Sequence, residues 1–394
     1  MMSLRLRNVT LLLTFAFVPF AGFAQVSVPD KYGKGIRFVA ADSSFSTRIS
    51  ARLQTLYTGA YDLDSDDYSD GISIRRLRLK FEGFAFDPKL EYKIQLGFAN
   101  SDTEGIGPAN SNTSNIVLDA VAKWNFAPGF SLSVGQTKLP GNREQLVSSQ
   151  KLQFVDRSLL NSRYTTDRDI GIQLQHESAI GEALLIKTIS VSMGEGRNIT
   201  TGNQGGYDYT GRLELLPFGE FQGGGDYVGS DISREPSPKL SLGVAYDYNT
   251  DASRERGQRG TFFAQSRDLK TLFADAMFKY RGFSAMAEYA DKQSSGSPVV
   301  TTDLTGNVTQ SFFTGTGFNV QAGYLFNNNV ELAARYTTIR PEAVTQRDKN
   351  TQYTLGLSKY IAGHTLKVQT DVSLLKEAED LSEMMYRVQL EIGF

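Results

Sequence analysis

The side chains best equipped for chemistry in this 394-residue chain are arginines and lysines set at two spacings. Across residues 138–168 stand Lys138, Arg143, Lys151, Arg157, Arg163 and Arg168, against only Glu144, Asp156 and Asp167. Arg76, Arg78 and Lys80 recur at every second position, so in a strand they share one face and form a ladder. Positive charge fixed at a narrow place of low dielectric draws and selects anions. The planar guanidinium fork suits phosphate because it donates two parallel hydrogen bonds to two oxygens. Local ion pairing of the same charges is the plainer alternative, with Asp156 serving the neighbours of Arg157 and Asp167 serving Arg163.

Other chemistry has little to work with. The two histidines, His176 and His364, fall at expected strand ends or turns, and their positions suggest no Ser/His/Asp set, so no enzyme is expected. Asp62, Asp64, Asp66, Asp67 and Asp70 look like a calcium loop, but such a loop needs Gly sixth and Glu twelfth. Asp67 and Ser73 stand there, which leaves a solvated loop, or at most a loose divalent-cation bridge; no metal or cofactor is expected. Asn198-Ile199-Thr200 matches a glycosylation sequon by coincidence. Forty-one basic against 43 acidic residues leave no nucleic-acid footprint.

The elements that must position the basic residues are strands. Apolar and polar residues alternate in about sixteen segments, among them Leu90-Tyr92-Ile94-Leu96-Phe98, Leu240-Leu242-Val244-Tyr246-Tyr248 and Tyr386-Val388-Leu390-Ile392-Phe394. The intervening residues are too polar for a packed core: Lys367, Gln369, Asp371 and Ser373 separate the apolar residues of 366–374. The inward set mixes Arg48, Arg52, Arg212, Arg335, Lys367 and Arg387 with acids such as Glu82, Asp119, Glu214, Asp275, Glu331 and Glu391. Apolar faces with aromatic ends, polar faces and many turns describe an antiparallel transmembrane β-barrel with lipid outside and water inside. Closure also satisfies every backbone N–H and C=O within a bilayer.

Connections alternate short and long. Short turns are expected near residues 87–89, 127–129, 177–181, 281–282, 327–329 and 362–364, and long outer loops near 62–71, 100–114, 138–168, 194–206, 249–268, 292–316, 340–350 and 376–382. Residues 216–238 are long where a short periplasmic turn is due. Sixteen strands, wide enough for an aqueous channel, then leave both termini on the periplasmic side. Residues 1–24 read as an export signal: Arg5 and Arg7, an apolar run from Val9 to Phe20, and small Gly22 and Ala24 before cleavage. The absence of cysteine suits export, and residues 25–394 are expected to form one barrel domain.

The stretch Gly135-Gln136-Thr137-Lys138-Leu139-Pro140, with Gln145 to Ser149, Phe154 to Ser158 and Arg168-Asp169-Ile170-Gly171, resembles the phosphate-selective porin O and P family. Arg75 to Leu79, Gly323-Tyr324 and Ala334-Arg335-Tyr336 add to it, and Gly35 to Ala40 with Asp42 to Phe45 resembles versions from Bacteroidetes-type bacteria. Gly141-Asn142 and Thr166-Asp167 depart from the family's usual Phe-Ser and Pro-Gly. The resemblance implies a trimeric, sixteen-stranded porin whose third loop, 138–168, folds inward.

Together these features predict a passive, anion-preferring channel in the outer membrane of a Gram-negative bacterium, for phosphate or similar small anions. Arg76, Arg78, Lys80, Lys138, Arg143, Lys151, Arg157, Arg163 and Arg168 are the candidate pore residues, although the parity of Phe130-Leu132-Val134 turns Lys138 outward unless a bulge intervenes. A general-diffusion porin is the alternative, and a surface adhesin or anchor a further one. Expected partners are small anionic or polar solutes, outer-membrane lipid and lipopolysaccharide, the barrel assembly machinery at Phe394, and further copies in a homotrimer.

Overall fold

A strand with one apolar and one polar face needs a different environment on each side, and a sheet in lipid can leave no open edge. The computed structural model, which describes residues 25–27, 32–103, 115–199, 203 and 205–394, meets both demands by closure. The export-signal residues 1–24 lie outside the described residues, as do 104–114 of an expected outer loop.

Sixteen antiparallel strands form the barrel. They are β1 (Phe45–Asp62), β2 (Asp67–Ala85), β3 (Asp87–Gly97), β4 (Val117–Ala127), β5 (Phe130–Lys138), β6 (Arg168–Ile180), β7 (Ala183–Ser192) and β8 (Asp208–Leu216). The second half comprises β9 (Lys239–Arg254), β10 (Phe262–Tyr280), β11 (Phe283–Ser294), β12 (Gly315–Leu325), β13 (Val330–Pro341), β14 (Asn350–Ala362), β15 (Leu366–Glu377) and β16 (Asp380–Gly393). Each pairs with its sequence neighbour, and β16 closes on β1 from Glu383 opposite Asp62 to Gly393 opposite Arg52. Closure reaches the last residue, where Phe394 and Ala51 exchange backbone hydrogen bonds of 2.9 and 2.7 Å. No helix among the described residues is long and apolar enough to cross a membrane; the strands cross instead.

The alternation sets the two faces. Trp124, Ile172, Ile189, Leu332 and Leu355 stand exposed on the outside, while Asp119, Arg212, Glu331, Lys367 and Gln389 are buried within. Aromatic residues stand at both ends of the barrel wall. Tyr57, Tyr61, Tyr209, Tyr353 and Tyr386 lie toward the outer ends of their strands; Phe86, Phe126, Phe130, Phe283 and Phe326 lie at the periplasmic turns.

Several expected outer loops are strand. β1 and β2 run 18 and 19 residues, and only 63–66 separate them. Likewise two residues join β15 to β16, β9 and β10 extend through most of 249–268, and 292–316 contains a small hairpin of Val299–Thr302 with Val308–Ser311. About 9–11 residues suffice to cross the membrane. The outer portions therefore project into water, where no apolar face marks them in sequence. The Asp62 cluster caps its own turn there, with Asp62 Oδ1 accepting from the N–H groups of Asp64 and Ser65.

Residues 216–238 depart from the plan in the other direction. Instead of hanging below the barrel they fold up inside it, packing Phe221 on Leu216, Met277 and Met286. A second dry cluster forms where Leu160 and Tyr164 of the third loop meet Ala245, Phe273, Ala290, Phe313 and Ile339. The lumen beside β8–β12 is thus filled, which leaves the side bounded by β1–β6 and β13–β16 for water and solute.

Trp124, the chain's sole tryptophan, is half-exposed on the outer face and packs its ring 5.6 Å from Phe126. In bilayers of brominated phospholipid its emission is expected to fall to less than half; unquenched emission would place β4 in the opposite phase.

Candidate functional site

The third loop leaves β5 and re-enters at β6, where Lys138 pairs with Arg168 and the Leu139 N–H donates to Asp167 O at 3.0 Å. Between these points it crosses the lumen as two short helical turns, Arg143–Leu146 and Leu159–Tyr164, joined by an extended stretch. Wall side chains hold that stretch by its backbone. Lys367 Nζ donates to Leu152 O at 3.1 Å, Gln369 Nε2 to Gln153 O at 2.9 Å and Arg335 Nη1 to Asp156 O at 2.8 Å. The Val155 N–H in turn donates to Asp371. From below, the Gly229 N–H of the inward periplasmic segment donates to Lys151 O at 2.8 Å.

Arg143 makes the strongest attachment. Its guanidinium is sealed from solvent and donates to Asp275 Oδ1 and Glu214 Oε1 at 2.7 Å, to Ser241 Oγ at 2.7 Å and to Asp226 O at 3.0 Å. Arg212 completes the cluster, donating to Asp275 Oδ2 at 2.7 Å and to the loop's own Gly141 O at 2.9 Å. Charges buried this deeply persist only when paired and fully hydrogen-bonded. Arg143 is therefore an anchor and not a pore residue, contrary to the expectation from sequence.

The space left between loop and wall forms a chamber of about 370 Å3 facing the outside. Its lining holds nine arginines, Arg75, Arg76, Arg78, Arg157, Arg168, Arg197, Arg259, Arg335 and Arg387, against Asp102, Asp156 and Asp167. On the periplasmic side a cavity of about 500 Å3 is lined by Lys34, Arg48, Arg52, Arg78, Lys80, Lys93 and Lys151, with Glu82 the acid among them. Arg78 lines both, so it stands where the two meet. Its Nε donates to Asp102 Oδ2 at 3.1 Å and its Nη1 to Ser149 Oγ of the loop at 3.2 Å. Ser149 Oγ also accepts from Arg52 Nη2 at 2.6 Å.

Asp156 is the loop carboxylate set among these cations. Burial disfavours its charged form, but the guanidiniums of Arg76, Arg75 and then Arg387 outweigh that and hold it well below the usual carboxylate range. Part-buried Lys151 is shifted the other way, lowered first by burial and then by the charge of Lys80.

The nine candidates thus divide. Arg76, Arg78, Arg157 and Arg168 line the outer chamber, and Lys80 and Lys151 the inner cavity. Arg157 is also tied to the loop backbone, donating to Glu144 O and Val147 O at 2.9 and 2.7 Å. Arg163 turns away toward an outer loop, its guanidinium 5.3 Å from the Phe313 ring centroid, so the expected pair with Asp167 does not form. Asp167 lies instead 3.8 Å from Arg168 and 3.7 Å from Arg259. Lys138 points inward, and its Nζ donates to the carbonyls of Gln145, Leu146 and Val147 at 2.5 to 3.2 Å. The phase of β5 reverses because Val134 is exposed and Gln136 buried on either side of Gly135, whose φ of +127° suits glycine. A Cβ there would meet Ala120 O at 2.2 Å.

Arg75 was missed by strict alternation. Gln54 pairs with Arg76 and Thr55 with Ile74, so Arg75 is the extra residue of a β-bulge. Both it and Arg76 reach Asp156 at 3.1 Å. A signal existed: the apolar phase shifts by one between Ile72-Ile74 and Leu77-Leu79. Arg197 and Arg259 sit in connections between strands, where periodicity carries no information.

Replacing Arg143 by alanine leaves Glu214 and Asp275 facing one another with only Arg212 between them. We expect a loss of about 3–5 kcal/mol in urea unfolding, the range for breaking a buried ion pair, together with a larger and noisier single-channel conductance as the loop loosens. An unchanged unfolding midpoint would remove Arg143 from this role.

Comparison with known proteins agrees with the geometry. An uncharacterized protein of Aquifex aeolicus (strain VF5) is 24% identical over 384 residues, 88% of this chain and 87% of that one. The anion-selective porin from Comamonas acidovorans shares the fold with a TM-score of 0.55 at 12% identity, over 89% of this chain and 100% of that one. Pseudomonas putida OprB does so with a TM-score of 0.57 at 10% identity, over 88% and 94%. Residues 48–384 match the family described as phosphate-selective porin O and P. The chain belongs to that family and is an outer-membrane channel protein of a Gram-negative bacterium, not an enzyme.

Proposed function

We propose that this porin passes small anions, phosphate or others of similar size, along the path between its third loop and the wall of β1–β6 and β13–β16. The observation that carries the reading is the outer chamber's lining of nine arginines against three carboxylates. Fixed cations in a confined space raise the local anion concentration and repel cations. The lysine-rich cavity beneath continues the same sign of charge to the periplasmic mouth. Arg212 with Asp275 cancels in the filled half. Along the path Arg78 pairs with Asp102, and Arg75 and Arg76 share Asp156, which still leaves the arginines of the lining in excess. The anion-selective character of the Comamonas acidovorans porin, which shares the fold, is in keeping with this.

Arg76, Arg78, Lys80, Lys151, Arg157 and Arg168 are the residues we assign to the path. Arg78, common to both cavities, is the residue on which selectivity should depend most. We further propose that the channel works as a homotrimer in contact with lipid and lipopolysaccharide, and that the exposed Phe394 ring at the end of β16 is the mark read by the barrel assembly machinery.

Zero-current potential across a planar bilayer under a potassium chloride gradient tests the proposal. The sign should be that of chloride permeation, and phosphate should reduce the chloride current. In the double variant Arg76→Ala, Arg78→Ala the anion-to-cation permeability ratio should fall roughly tenfold, the effect of about 1.4 kcal/mol of lost attraction. A potential near zero, or of cationic sign, in the unaltered protein would make it a general-diffusion pore.

A further inference from the structure

The outer chamber contains a carboxylate that belongs to the protein. Asp156 stands on the loop within reach of arginines of β2 and β16, with one-fifth of its side chain exposed in the chamber lining. Arg75 grips it with two prongs, Nε to Oδ2 at 3.2 Å and Nη2 to Oδ1 at 3.1 Å. Arg76 Nη2 donates to Oδ1 at 3.1 Å, and Arg387 Nη1 stands 3.7 Å from Oδ2. A two-pronged grip on a planar pair of oxygens is the geometry by which arginine recognises a carboxylate.

Two of these arginines are held by other groups as well. Arg76 Nη1 donates to Gln54 Oε1 at 2.8 Å, and Arg387 donates to both oxygens of Asp371 at 2.7 and 2.9 Å. Arg75 is placed by the bulge of β2, and the Ser101 hydroxyl donates to its carbonyl. The guanidiniums of Arg76 and Arg387 would therefore keep their positions if the Asp156 side chain swung away, with Arg75 presented beside them by its backbone. Its backbone is fixed independently, through the Val155 N–H on Asp371 at 3.2 Å and Asp156 O on Arg335 at 2.8 Å. Rotation about the Asp156 side chain alone would empty the site without moving the loop.

We propose that Arg75, Arg76 and Arg387 form a recognition site for small organic carboxylates, which Asp156 occupies as an internal ligand and from which a passing carboxylate displaces it. The proposal rests on the anion-conducting reading of the channel and adds the class of solute and the residue that competes with it. Because Asp156 is tethered beside the site, its effective concentration is high, and free carboxylate binds weakly until it is removed. The tether keeps the cations from trapping a solute, since binding must be weak enough to permit exit.

The test uses the full-length barrel in planar bilayers, with acetate as the competitor of chloride current and phosphate as the comparator. In Asp156→Asn and Asp156→Ala the concentration of acetate that halves chloride current should fall about tenfold or more, since a tethered competitor has been removed. Adding Arg75→Ala to Asp156→Asn should reverse that gain. An unchanged acetate concentration in both single variants, with native heat-resistant migration showing that they fold, would overturn the proposal. An equal gain for phosphate would overturn the assignment to carboxylates. If the unaltered protein shows no anionic potential, the conduction reading itself fails, whereas an anionic potential with unaltered acetate competition rejects the internal ligand alone.

Discussion

The channel depends on one buried guanidinium. Arg143, with Arg212 beside it, carries the start of the third loop across the lumen and fastens it to Glu214 and Asp275 on β8 and β10. Lys367, Gln369 and Arg335 hold the middle of the loop and Tyr164 packs its far end, but the start of the loop is fixed in the lumen by this attachment. With it, the lumen divides into a filled half, sealed by Phe221, Met277, Tyr164 and Phe273, and a narrow wet half whose lining is chiefly basic. The high cost of an unpaired buried charge is what makes the division stable. The same cation that looked like a pore residue therefore acts by shaping the pore.

Charge is sorted within the lumen by this division. Acids predicted to face inward are numerous, and counted as a list they offset the bases. In space many are consumed by fixed partners: Asp275 and Glu214 by Arg143 and Arg212, Asp371 by Arg387, Asp119 by Arg168 and Lys93. The lining that remains in contact with the path carries an excess of guanidiniums. Net charge of the chain says nothing about this, because selectivity follows the local lining of a confined volume.

The barrel was legible in sequence because a lipid face and a wet face force a period of two, and that period survives in the amino acids of β3, β9, β15 and β16. The third loop's inward course was expected from family resemblance. What it touches was not, because a loop's path depends on partners such as Asp275, more than a hundred residues away. Projecting strand ends such as Asp62 and Tyr68 fall within the expected loop 62–71, since water on both faces erases the apolar signal. The bulge at Arg75 and the phase reversal at Gly135 had visible traces, a shifted apolar register and a glycine. The inward fold of 216–238 had only its length, because glycine and proline mark a turn without saying which way it points.

The claim that anions pass between loop and wall is tested most directly by crystals soaked separately in bromide and in rubidium, with each ion located by its anomalous scattering. The account predicts bromide in the lumen beside Arg76, Arg78 and Arg157, and no rubidium there. Rubidium in that chamber, or bromide confined to the protein's exterior, would contradict it.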